Sequence, residues 1–230
     1  FREKCDWRIM EVNRLQKFTE VIIKNNNKNY KFRCKLIADY EIENLLAAII
    51  LANKNGLSMN SILKNIKNIK NSEGRLKKIF LRKNIISIYI DYAHTPEALK
   101  RSLQALRFAL KSPARLLLVF GCGGDRDKGK RKIMGKIAAR FADKVFITDD
   151  NPRYENANSI RKEIATYCIK SENIADRKKA ITKAISIMKK DDILLIAGKG
   201  HEKVQEIKGS VFVFDDASVA KQIFYKRFSV

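Results

Sequence analysis

Apolar and polar positions along this chain follow two different rhythms, and the change falls near residue 75. Before it, Val21 and Ile23 lead into the polar run Asn25 to Asn29, and Tyr30, Phe32 and Cys34 alternate on the way out, which predicts a β-hairpin. Ile42, Leu45, Leu46 and Ile49 then recur at helical spacing within Glu41 to Lys54, and Gly56 stands where that helix should stop. Ser58 is placed to cap a second helix with the face Ile62, Leu63, Ile66 and Ile69. The polar stretch Asn71-Ser-Glu-Gly74 reads as a domain boundary, giving one domain over 1–74 and another over 75–230.

After the boundary, short apolar runs alternate with helical patterns. Ile85 to Ile90 reads as a buried strand ending in Asp91, and Thr95 and Pro96 sit where an N-cap and a first helical residue belong. The helix runs to about Leu110. Strands follow at Arg115 to Phe120, Lys144 to Thr148 and Ile193 to Ala197, with helices after Arg131, from Ser159, and from Asp176 to Lys190. A hairpin-like strand at Val211 to Phe214 precedes a terminal amphipathic helix around Val219, Ala220 and Ile223. This alternation predicts a doubly wound α/β domain, whose ligand site belongs among the loops at Asp91, Gly121, Asp149 and Gly198.

Composition changes the picture in three places. Forty-eight Lys and Arg against 25 Asp and Glu give a formal charge of +23, which raises nucleic acid as a partner. The lysines are spread through every segment among Asn and Ile, with no basic arm or aromatic-interleaved basic helix, so the charge reads as a compositional bias that favours small anions. Cys5, Cys34, Cys122 and Cys168 have no paired or metal-type spacing, and His94 and His201 are the only imidazoles; free thiols in a reducing cytoplasm and no zinc site are expected. The longest apolar run, Leu45 to Ala52, is far short of the roughly 20 residues that span a bilayer, so no membrane partner is expected. The sequence begins Phe-Arg-Glu-Lys, within what reads as the middle of a domain, and is expected to be a fragment.

Chemistry concentrates in the loops. Arg126 and Arg153 follow neighbouring strands and can converge on a ligand carrying carboxylates or phosphates. Gly124 to Lys130 comes close to a phosphate-binding P-loop, but Arg131 stands where the hydroxyl that holds Mg²⁺ should be. The loop therefore reads as an anion cradle, or as an ordinary turn. Asp91, at a strand end, suits ribose hydroxyls. Alone, Asp150-Asn-Pro-Arg153 is a turn tetrapeptide and His94 an ordinary capping or buried histidine.

Taken together, Asp91-Tyr-Ala-His-Thr-Pro96, Gly121-Cys-Gly-Gly-Asp-Arg-Asp-Lys-Gly-Lys-Arg131, Asp149-Asp-Asn-Pro-Arg153 and Gly198-Lys-Gly-His-Glu202 resemble the motifs of the Mur ligases of peptidoglycan synthesis, in that order and spacing. Within the family the resemblance is to the members that add the third residue of the peptide. It implies a Rossmann-like C-terminal Mur ligase domain over 75–230, preceded over 1–74 by the end of the central α/β ATPase domain. The implied activity is ATP-dependent. The glutamyl carboxylate of UDP-N-acetylmuramoyl-L-alanyl-D-glutamate is phosphorylated, and the amine of meso-2,6-diaminopimelate attacks the acyl phosphate.

Carried over, Arg126, Asp150, Asn151, Arg153, Gly198 and Glu202 bind diaminopimelate, with Arg153 reading the distal carboxylate that lysine lacks. Asn44 meets the adenine, Asp91 the ribose and Arg75 the phosphates, with His94 beside them. The family's P-loop, its Mg²⁺ ligands and its carbamylated lysine are expected N-terminal to Phe1, so no catalytic or metal-binding residue is expected here. This polypeptide is expected to need further domains, in cis or in trans, to turn over. A remnant that only binds amino acid or nucleotide, and a basic RNA-binding α/β domain, are the other readings.

Overall fold

The computed structural model describes residues 5–15, 18–69, 72–79, 81 and 85–228; Phe1 to Lys4 and Asn71 of the predicted boundary lie outside them. The chain divides into two compact units, Phe1–Asn71 and Ser72–Val230.

In the first unit β1 (Trp7–Arg14), β2 (Thr19–Asn25) and β3 (Lys28–Cys34) form an antiparallel meander. The predicted hairpin is β2 and β3, and its turn places Asn26 at φ +50, a conformation that Asn tolerates. Helix α1 (Asp39–Lys54) starts two residues before the predicted Glu41, because the Glu41 carboxylate reaches back to the amides of Ile37 and Ala38 at 3.0 and 2.9 Å. Ser58 caps α2 (Met59–Ile66) by accepting from the Ser61 amide at 3.3 Å, and Ile69 lies beyond the helix end. Val21, Ile23, Phe32, Ile42, Leu45, Ile49 and Ile66 share the core.

The second unit is built on a six-stranded sheet of β4 (Lys77–Lys78), β5 (Ser87–Asp91), β6 (Leu116–Phe120), β7 (Lys144–Ile147), β8 (Glu172–Asn173) and β9 (Ile193–Ala197). Its order is β4-β5-β9-β6-β7-β8, and only β4 runs antiparallel. Every residue of β6 and β9 is buried, as expected of strands covered on both faces. Helices α3 (Pro96–Ala109), α4 (Gly129–Phe141) and α5 (Ala157–Ala165) connect strands that step one way across the sheet, whereas α6 (Arg177–Ile187) steps back to the centre. Right-handed crossovers therefore put α6 on the opposite face, where α7 (Asp216–Phe228) joins it. There Ile88, Ile90, Leu117, Val119, Phe146, Leu194 and Ile196 pack against Ile181, Ile185, Ala220 and Phe224.

Caps explain most boundaries. Thr95 accepts from the Ala98 amide at 3.3 Å with Pro96 opening α3. Asn156 caps α5, so that helix begins at Ala157 and not at the predicted Ser159. Asp176 caps α6, which ends at Ile187 and not at Lys190, since Met188 is already extended. The partner of the predicted terminal strand is β10 (Val204–Ile207), which pairs with β11 (Ser210–Val213) in a separate two-stranded sheet. Because the chain leaving β9 turns to the face opposite that taken by the chains leaving β5 and β6, a crevice opens at the carboxyl end of β9.

Candidate functional site

Glycines let the loops at this crevice touch backbone to backbone. A Cβ on Gly121 would stand 2.2 Å from the Thr148 carbonyl oxygen, and one on Gly124 would stand 2.0 Å from that of Pro152. The Gly124 amide donates to the Asn151 carbonyl at 2.9 Å, so the β6 loop lies directly on the β7 loop. Gly198, at φ +112, approaches Asp150 just as closely: its Cβ would sit 2.5 Å from Oδ2 of that carboxylate.

Both predicted arginines border Gly123, Arg153 with its guanidinium and Arg126 with its aliphatic stem. A Cβ there would be 3.0 Å from Nη1 of Arg153 and 4.0 Å from Cγ of Arg126. Arg153, at φ +50, is held on three sides. Its Nη1 donates to the Gly124 carbonyl at 2.8 Å, its Nε pairs with Glu206 Oε2 at 3.1 Å, and its backbone bridges β10 through the Glu206 carbonyl and the Lys208 amide. Among the described residues Nη2 of Arg153 makes no hydrogen bond. Arg126 is exposed, and its Nη1 donates to the carbonyl of its neighbour Asp125.

The acidic side of the crevice is equally constrained. The Asp150 carboxylate accepts from the Asn151 amide at 2.8 Å and lies 4.0 Å from Nη1 of the buried Arg177. Nδ2 of Asn151 donates to Glu202 Oε2 at 3.1 Å, and its Oδ1 accepts from Lys199 Nζ at 2.8 Å and from the Glu206 amide at 3.0 Å. Gln205 Nε2 donates to the Asp150 carbonyl at 2.7 Å. Tyr92 also engages Glu202, and burial together with that carboxylate pushes its phenol above the ordinary range.

The four residues expected at the nucleotide are divided. Arg75 lies with its Cζ 4.9 Å from the Tyr92 ring centroid, and the ring of His94 is 4.6 Å from the same ring. Lys130 Nζ donates to the His94 carbonyl at 3.1 Å, tying the β5 loop to α4. Asp91 is 3% exposed, and its carboxylate accepts from the Ser102 hydroxyl; burial raises its pKa. Asn44 belongs to the first unit, exposed on α1.

The near-P-loop finds a physical explanation. Arg131 turns inward, 1% exposed, and bonds Glu155 at 2.9 and 3.0 Å and Glu163 at 3.0 Å, while Asp127 Oδ1 accepts from the Gly129 amide that opens α4 at 2.8 Å. The expected anion cradle thus has a protein carboxylate on its first helical amide. Among the described residues no group of three or more His, Cys, Asp or Glu is placed to hold a metal ion. Lys199, Tyr92, Glu206 and Arg177 belong to the constellation but not to the predicted set. Lys199 and Tyr92 sit inside the quoted motifs, whereas nothing in the sequence marks Arg177 as buried.

At the carboxyl edge of this doubly wound sheet the loops bring Arg153 together with Glu206, and Asp150, Asn151, Lys199 and Glu202 together beside it, with Arg126 on the adjoining β6 loop. The family model described as "Mur ligase, glutamate ligase domain" matches residues 74–200, and the chain belongs to the Mur ligase family. It is 44% identical over 201 residues to the UDP-N-acetylmuramoyl-L-alanyl-D-glutamate--2,6-diaminopimelate ligase of Rickettsia bellii, covering 86% of this chain and 42% of that protein. The enzyme of the same name from Zymomonas mobilis is 45% identical over 199 residues, with 85% and 40% covered. The chain thus spans less than half the length of these relatives. A solved structure of a ligase of that name superposes with a TM-score of 0.69 at 30% identity, covering 99% of this chain and 47% of the other. The UDP-N-acetylmuramate-alanine ligase of Thermotoga maritima shares the fold, with a TM-score of 0.73 at 18% identity over 99% of this chain and 46% of that one.

Proposed function

We propose that this chain carries the amino-acid site of an ATP-dependent ligase that joins meso-2,6-diaminopimelate to UDP-N-acetylmuramoyl-L-alanyl-D-glutamate in the cytoplasm. On this reading residues 75–230 are the amino-acid-binding domain and 1–74 the end of the ATPase domain. The observation that supports it is that the Arg153 guanidinium and the Arg126 side-chain stem both border Gly123, on the β6 loop that rests against Asp150 and Asn151. Diaminopimelate has two carboxylates and two ammonium groups, and the site offers two guanidiniums together with the carboxylates of Asp150 and Glu202. The relatives' names point to the same amino acid.

The residues of this chain bind and orient the entering amine. In the complete ligase that nitrogen attacks the glutamyl acyl phosphate, the C–N bond forms, and inorganic phosphate leaves as the nitrogen loses a proton. ATP supplies the phosphoryl group. On the nucleotide side Arg75 is for the phosphates and Asp91 for the ribose, with His94 beside them.

Arg153→Ala in the complete ligase tests the reading. Activity with diaminopimelate should fall by about a hundredfold or more while the slow reaction with lysine changes little, because only the first amino acid has a distal carboxylate to lose its partner. Equal losses with both would remove Arg153 from the discriminating role.

A further inference from the structure

Lys199 is 0% exposed although it sits on a loop at the crevice, between Gly198 and Gly200. A desolvated ammonium is costly unless its protons are accepted nearby. Its Nζ donates to Asn151 Oδ1 at 2.8 Å and lies 3.5 Å from Glu202 Oε2. The Glu206 amide donates to the same Oδ1 at 3.0 Å. With two donors on its oxygen, the Asn151 amide has one satisfied orientation, in which Nδ2 faces Glu202 at 3.1 Å. The Asn151 amide thus ties the loop after β7 to the loop after β9.

We propose that Lys199 is a positioning residue: an internal cation that locks the Asn151 side chain and through it fixes Glu202 at the crevice, without itself meeting the ligand. The inference rests on the reading of Asp150, Arg153 and Glu202 as an amino-acid site. Its own content is the coupling of Lys199 to Asn151, which is measurable with or without ligand. A lysine that merely filled space would contribute independently of Asn151.

The experiment is a double-mutant cycle on the full chain with Lys199→Met, which keeps length and volume but loses the donors, and Asn151→Ala. Calorimetry with meso-2,6-diaminopimelate gives the affinities, and ¹H–¹⁵N spectra follow the Asn151 side-chain amide. Lys199→Met should weaken binding by about tenfold or more, and the double variant should be no weaker than Asn151→Ala to within about twofold. The Asn151 amide protons should exchange slowly in the natural chain and fast in Lys199→Met. Should Lys199→Met not fold, Lys199→Gln must show the same coupling. Losses that multiply, or an unchanged Asn151 amide signal, overturn the proposal. If the natural chain takes up no diaminopimelate while Lys199→Met still frees the amide, the amino-acid reading falls and the lock by Lys199 stands.

Discussion

Gly198 shows how little room the crevice leaves around single residues. Its φ of +112 is rare for any other residue, and the Asp150 carboxylate occupies the space where a side chain would begin. Gly198→Ala should therefore leave the sheet intact but push Asp150 aside. Diaminopimelate affinity should drop by about tenfold or more, with a stability loss of ~1–3 kcal/mol from the strained backbone. Calorimetry and thermal unfolding on the same variant separate the two, and an unchanged affinity would show that Asp150 is not a ligand contact. The place of Arg126 and Arg153 in the loops after β6 and β7 could be read from the sequence because charge and strand-end position are both visible there. The burial of Lys199, Arg131 and Arg177 could not, because a long cationic side chain is ordinarily solvated and only the fold supplies their carboxylate and carbonyl partners.

Among the elements, the join between α6 and α7 rests on a buried ion pair. Arg177, the first residue of α6, donates from Nε and Nη2 to the Asp216 carboxylate, each at 2.8 Å, and from Nη2 to the Ala197 carbonyl at 3.0 Å, so one guanidinium gathers α6, α7 and the end of β9. Asp216→Asn leaves that guanidinium buried without its countercharge and should cost ~3–5 kcal/mol in urea unfolding. A loss below ~1 kcal/mol would mean that Asp150, 4.0 Å away, balances the charge instead. The strands β5, β6, β7 and β9 were legible because they are continuous apolar runs that end in loop chemistry. β4 and β8 were not, since two residues each carry no period. The start of α5 was missed for a related reason: its cap, Asn156, lies outside the apolar pattern.

For the whole molecule, the +23 charge and the local site act over different ranges. Diaminopimelate is a zwitterion with no net charge, so its hold on the crevice should depend on contacts within a few ångströms and not on the general field. Raising salt from about 0.05 to 0.5 M should change its affinity by less than about threefold, whereas any polyanion drawn by the overall charge should be lost steeply. Calorimetry at the two ionic strengths decides this, and a steep fall for diaminopimelate would place its binding in the field of the scattered lysines. The β10–β11 hairpin has a further meaning at this scale. It belongs to no other sheet, yet its Glu206 grips Arg153 by side chain and backbone and its Gln205 holds the Asp150 carbonyl. If the crevice is the amino-acid site proposed above, the choice of amino acid is adjustable from a small ribbon outside the main sheet, and exchanging that ribbon should retune the arginine while every residue in the four loops stays as it is.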